Sequence, residues 1–201
     1  MPSDIKKPLT ARGEATRRRI LNAAEHEFGE KGFHLASVSS ITTRANVGQG
    51  TFYIYFRTKE DCFAVLVEEI GHELRRQTAE AVSKGETRME AERLGLDAFL
   101  GFTQKHPGLY RIVQESQFVD EKVFREYYER LAEGYAAGLD EAARNGQLKP
   151  GDGSARAWAI MGIGHFLGLR HCIWNHALPG EDTLDEVMSF ISSGMARDGG
   201  R

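Results

Sequence analysis

The chain predicts an all-α fold of about nine helices, with an N-terminal three-helix unit that contains a helix-turn-helix and a larger helical domain behind it. Three observations predict this. Apolar residues recur at three- and four-residue spacing in successive windows. Glycine, proline and asparagine stand at the breaks between those windows. No alternation of Val, Ile or Thr is long enough for a strand.

Residues 1–12 hold two prolines with Lys6, Lys7 and Arg12 and read as a flexible basic arm. A helix follows from about Gly13 to Lys31, with Ile20, Leu21, Ala24 and Phe28 on one face and Gly32 placed to end it in a left-handed conformation. Ser37 suits an N-cap for a short helix bearing Val38, Ile41 and Ala45 on its inner face. Asn46 tolerates the left-handed backbone of a sharp turn, Val47 plugs the corner, and Gly48 or Gln49 opens the next helix. There Phe52 and Phe56 point inward, leaving Gln49, Gly50, Thr51, Tyr53 and Tyr55 largely outward. Two short helices, a tight turn and a polar outer face make a helix-turn-helix pattern.

Thr58-Lys59-Glu60-Asp61 resembles a capping box and starts a long helix to about Val82. A helix from about Arg88 to Lys105 stops at His106-Pro107-Gly108. A shorter one covers Leu109–Ser116, and another runs from near Asp120 to a cap at Asn145-Gly146. Ala155–Ala177 reads as nearly continuous apolar helix with glycines at 162, 164 and 168. After Pro179-Gly180, Leu184, Val187, Met188, Phe190 and Ile191 mark a last helix, and residues 198–201 read as a disordered tail.

A 41% apolar and 27% charged composition is that of an ordinary globular chain. No stretch reaches the roughly 18–20 apolar residues of a membrane span, no secretory leader is evident, and Cys62 and Cys172 suggest no disulfide framework. The expectation is a cytoplasmic protein. Charge is uneven: residues 1–60 carry a net +4 and residues 61–201 a net −7. A basic N-terminal quarter suits phosphate contact, although a charge excess of this size is also ordinary for a solvated face.

The first 75 residues resemble the N-terminal domain of the TetR family of bacterial transcriptional regulators. The resemblance rests on Arg19–Ala24, Phe28–Phe33, Ser37–Ile41, Ala45–Gly48, Gly50–Tyr53 and Phe56–Asp61. Gly48, Ile54 and Tyr55 depart from the residues common in that family. The resemblance implies a DNA-binding domain over 13–60 and a ligand-binding and dimerisation domain over 61–197. It also implies that Gln49–Tyr55 enters the major groove of double-stranded DNA. Gln49 is the candidate base reader, and Gly50 allows close approach. Thr51, Tyr53, Tyr55 and Lys59 are candidate contacts, with Ser37, Thr42, Thr43 and Arg44 clamping the flanking backbone. Arg12, Arg17 and Arg18 are candidates for the neighbouring groove.

The same resemblance implies a homodimer through the last two helices on a palindromic operator, and an unidentified small-molecule inducer that acts through the fourth helix. Phe99, Phe102, Tyr110, Phe118, Phe124, Tyr127 and Tyr128 make the middle helices rich in aromatics, which suits an apolar ligand site or a filled core. Phe102, His106, Tyr110, Tyr127, Trp158 and His165 are the candidate lining. His165, Cys172 and His176 share one face at helical spacing but lack a third ligand from elsewhere, so no metal and no cofactor is expected. No nucleophile motif or phosphate loop points to an enzyme. The competing class is a helical small-molecule-binding or interaction protein of this fold without operator-specific DNA binding.

Overall fold

The computed structural model describes residues 10–195, and every regular element among them is a helix. α1 (Ala11–Lys31) starts two residues earlier than its apolar pattern suggests. The reason is Thr10, whose hydroxyl accepts from the Gly13 amide at 3.1 Å. Ala11 and Arg12 therefore belong to a capped helix and not to an arm, and the remaining arm, residues 1–9, lies outside the described residues, as do 196–201.

α2 (Val38–Ala45) opens with a reciprocal cap, in which the Ser37 hydroxyl accepts from the Ser40 amide at 3.0 Å and the Ser40 hydroxyl from the Ser37 amide at 3.1 Å. Asn46 ends it at φ +52°, the left-handed turn its side chain tolerates. α3 (Gln49–Tyr55) follows at once. α4 (Lys59–Val82) begins where the Thr58 hydroxyl accepts from the Asp61 amide at 3.0 Å.

The chain forms two compact units. Among the described residues, the first gathers those up to Ile70 with Pro107–Tyr127, and the second holds Gly71–His106 with those from Tyr128 on. This division differs from a break at residue 60. The first half of α4 supplies Phe63 and Val67 to the core that also buries Ile20, Ala24, Phe28, Ile41, Phe52 and Phe56. Phe63 meets Phe28 and Phe33 edge-on at 5.2 and 5.0 Å between centroids.

The other addition is α6 (Pro107–Val119), longer than the expected Leu109–Ser116 because Pro107 serves as its first helical residue. α6 is held to the end of α1 at three points. Gly29 and Gly108 face each other so closely that a Cβ at Gly29 would lie 3.1 Å from the Gly108 Cα. Arg111 donates to the Glu30 carbonyl at 3.2 Å. Glu115 accepts the Phe33 amide at 2.9 Å, satisfying a donor that the chain leaves open as it exits α1.

In the second unit α5 (Arg88–Lys105), α7 (Glu121–Arg144), α8 (Gly153–Leu167) and α9 (Glu181–Met195) supply most of the core residues, with Leu148 and Cys172 added from the segments after α7 and α8; α7 begins in the first unit. Leu139, Ala142, Leu148, Ala157, Ile160, Ile191 and Met195 form one buried cluster, and Leu96, Leu100, Cys172 and Leu184 another. Glu92 is buried on α5, where Arg88 donates to it at 2.7 Å and the Tyr135 hydroxyl of α7 donates to its other oxygen. The charge is therefore paired and hydrogen-bonded, the condition under which a buried carboxylate is tolerated.

The expected continuous helix over Ala155–Ala177 is interrupted. α8 gives way at Gly168 to a π-helical stretch, Gly168–Trp174. Gly164 and Gly168 bring the backbone against Phe99 of α5, and the wide turn sets the Cys172 thiol 3.5 Å from the Leu100 carbonyl. His176 then lies beyond the helical stretch at φ +52°, so His165, Cys172 and His176 do not share one helical face. No described helix is long and apolar enough to cross a membrane.

Candidate nucleic-acid interface

α3 is seven residues long and has no side-chain cap, since Gly48 precedes it. Its position is set from behind. Phe52 is 0% exposed and Phe56, 5.5 Å away between ring centroids, is 1% exposed. The Val47 amide donates to the Thr42 carbonyl at 3.0 Å, closing the turn from α2. With that face buried, the outward stripe carries Gln49, Gly50, Tyr53 and Ile54, at the i, i+1, i+4, i+5 positions of a helix. Thr51 and Tyr55 lie at its margins, half-buried. A side chain at Gly48 or Gly50 would meet nothing of the chain within 4 Å, so no packing within the protein requires glycine there.

The supporting residues divide into exposed and engaged ones. Ser37 and Thr43 are exposed, although the Ser37 hydroxyl already caps α2. Thr42, expected as a backbone clamp, is instead buried at 3% exposure, and its hydroxyl donates back to the Val38 carbonyl at 2.8 Å. It falls on the inner face of α2, where an i−4 carbonyl is the nearest acceptor. Arg44 bridges Glu27 at 2.8 Å and Glu30 at 3.1 Å. Glu27, itself buried, also accepts from Lys31 at 2.6 Å. Hydrogen bonds from Lys31, then Ser40 and Arg44, hold its carboxyl down at about 2 against the opposing cost of burial.

Lys59, another candidate contact, already has partners within the chain. Its ammonium donates to the Phe33 carbonyl at 2.7 Å and the Ala36 carbonyl at 2.8 Å, and lies 4.1 Å from the centroid of the Phe33 ring. Two of its three donors thus secure the α1–α2 loop. Arg17, a candidate for the neighbouring groove, is mostly buried, paired with Glu69 at 3.1 Å and placed over the Phe56 ring; Arg12 and Arg18 are exposed.

Ile54, which stands out in the sequence only as a departure from the family pattern and not as a candidate contact, is 67% exposed. Continuing the spacing of Gln49 and Gly50 by one helical turn identifies it together with Tyr53.

The candidate ligand residues are divided between the two units. Tyr110 and Tyr127 belong to the first unit, while Phe102, His106, Trp158 and His165 belong to the second. Phe102 is buried and stacks on the exposed His106 at 5.0 Å. His165 is half-buried, and burial moves its pKa down. Trp158 is 47% exposed on α8, and Phe118, one of the aromatics expected to line a ligand site or fill a core, is 81% exposed. Among the described residues no three His, Cys, Asp or Glu side chains converge as a metal site.

Residues 20–66, which hold most of α1, all of α2 and α3 and the start of α4, match the family of bacterial regulatory proteins of the tetR type. The chain is 40% identical over 70 residues to the uncharacterized HTH-type transcriptional regulator YdgC of Bacillus subtilis, covering 35% of this chain and 36% of that one. It is 26% identical over 137 residues to the fatty acid metabolism regulator protein of Bacillus subtilis, covering 66% and 71%. The fold is similar to that of the transcriptional regulator FadR from Bacillus subtilis, solved in complex with stearoyl-CoA, with a TM-score of 0.73 at 21% identity over 88% of this chain and 98% of that one. The match over residues 20–66 thus makes the helix-turn-helix region similar to the bacterial regulatory proteins of the tetR type, and the described chain shares the fold of solved transcriptional regulators.

Proposed function

We propose that the chain is a ligand-released repressor that binds a palindromic operator as a homodimer and lays α3 of each protomer in the major groove. The observation that carries this is the outward stripe of α3, fixed by Phe52 and Phe56 and left with open space over Gly48 and Gly50. Gln49 meets adenine through its amide. Tyr53, Thr51, Thr43 and Ser37 face phosphates, setting register without reading sequence. Lys59 and Arg44 act mainly by holding the α1–α2 frame, given the partners they already have.

The homodimer reading is supported by α8 and α9. Trp158, Gly162 and Phe166 follow one another at four-residue spacing on α8, with both rings exposed (Phe166 at 69%) and open space at Gly162. On α9, Phe190 is 70% exposed and Gly194 is open. Rings of this size left in water on two helices that bury their other faces suit a second copy of the chain. Trp158 accordingly serves the interface and not a ligand site.

The ligand belongs in the second helical unit, with Phe102 and His165 as candidate contacts, and a long-chain acyl-CoA is the first class to try. That choice rests on the relative named for fatty acid metabolism and on the FadR structure with stearoyl-CoA. Release operates through α4, which runs from one unit into the other, and through α6, clamped on α1 by Gly108, Arg111 and Glu115. The ligand drives release by binding more tightly to the DNA-free state.

Fluorescence anisotropy with the full chain tests this, using a duplex enriched from a random pool against unselected duplex across a salt series. The expected result is at least ~10³-fold preference for the enriched duplex and a steep fall in affinity with salt. Equal binding to both duplexes overturns the operator reading.

A further inference from the structure

We infer that Ile54 is a specificity-determining residue that reads the C5-methyl groups of thymine in the operator. The inference rests on the proposed placement of α3 in the major groove. Ile54 is 67% exposed on the face shared by Gln49, Gly50 and Tyr53. It has neither donor nor acceptor, so it bonds no phosphate oxygen and no polar base edge. The apolar feature that a major groove offers is the thymine methyl.

Position sharpens the assignment. Gly50 lies one turn before Ile54 on the same ridge, and a side chain there would meet nothing of the protein. The absent side chain lets the helix axis approach the base edges and brings Ile54 down onto them. The Ile54 side chain is β-branched and therefore stiff, so little rotamer freedom is lost on contact. Its neighbour Tyr53 is steadied edge-on against buried Phe52 at 5.5 Å, which leaves Ile54 as the aliphatic surface of the stripe.

The test replaces thymine by deoxyuracil, which removes the methyl and keeps base pairing, one position at a time in the enriched duplex. Wild type and Ile54→Ala are compared by anisotropy, with Ile54→Val as a conservative control and circular dichroism to confirm equal folding. Burying one methyl corresponds to roughly a fourfold change in affinity. Wild type is expected to lose about that much at one or two symmetric positions, Ile54→Val to retain the loss, and Ile54→Ala to show less than a twofold loss there. Uracil substitutions that are silent in wild type, or that cost as much in Ile54→Ala, overturn the assignment while leaving operator binding intact. Failure to enrich any duplex overturns both readings.

Discussion

The contact of α6 with α1 makes a prediction whose sign is not that of helix propensity. Gly29 lies inside α1, where alanine normally improves a helix by about 1 kcal/mol. Here the added Cβ would sit 3.1 Å from the Gly108 Cα and 3.5 Å from its carbonyl carbon. Both are backbone atoms, which cannot rotate aside as a side chain would. Forcing extra volume into a packed site costs about 1–3 kcal/mol, so the penalty exceeds the propensity gain and Gly29→Ala destabilises by about 1 kcal/mol. Gly29→Val, larger and β-branched, costs about 3 kcal/mol by the same reasoning. The control is Gly134→Ala in α7, where a Cβ meets nothing within 4 Å and the full gain of about 1 kcal/mol is expected. The two alanine variants then differ by about 2 kcal/mol, or about 4–8 °C in melting temperature for a chain of this size. Thermal melts followed by circular dichroism measure this directly. A Gly29→Ala variant stabilised as much as Gly134→Ala would show that α6 does not press on α1 there, and would remove α6 from the release mechanism.

Three further outcomes follow from named contacts. Glu27 is ionised more readily in the fold than in the unfolded chain, down to about 2 from 4.5. Its contribution is therefore present above pH 4.5 and is lost as pH falls towards 2. Urea melts of wild type and Glu27→Gln should differ at neutral pH and converge across that window; a pH-independent difference would contradict the linkage. Lys59→Met should cost about 1–2 kcal/mol, because two carbonyls lose a charged donor, and should leave the salt slope of DNA binding unchanged. A slope lower by about 0.9 would instead make Lys59 a phosphate contact. Phe166→Glu should convert the protein to a monomer in sedimentation analysis with its helix content retained, and an unchanged mass would place the interface elsewhere.

Local chemistry was legible in the residues themselves. Ser37, Asn46 and Thr58 each fix a backbone conformation through atoms a few positions away, so the helix-turn-helix and the start of α4 follow from spacing alone. Contacts distant in the chain were not. The Gly29–Gly108 approach joins residues nearly eighty positions apart, and neither glycine differs in sequence from one at a loop end. Thr42 and Lys59 are polar residues in the right neighbourhood, yet their partners are carbonyls whose direction only the assembled fold sets. The π-helical stretch depends on how Gly164 and Gly168 seat against Phe99, which the apolar run over 155–177 does not encode. Ile54 was legible in principle, since helical period places it with Gln49 and Gly50, but an aliphatic residue is ordinarily assigned to a core.

The measurement that bears most directly on the account is a hydroxyl-radical footprint of the full chain on its enriched duplex. Two symmetric protected half-sites with centres about 34–36 Å apart, or a multiple of that, both lost when Phe166→Glu replaces wild type, is the predicted result. A single protected patch, or protection spread evenly along the duplex, would contradict a dimer that reads DNA through two copies of α3.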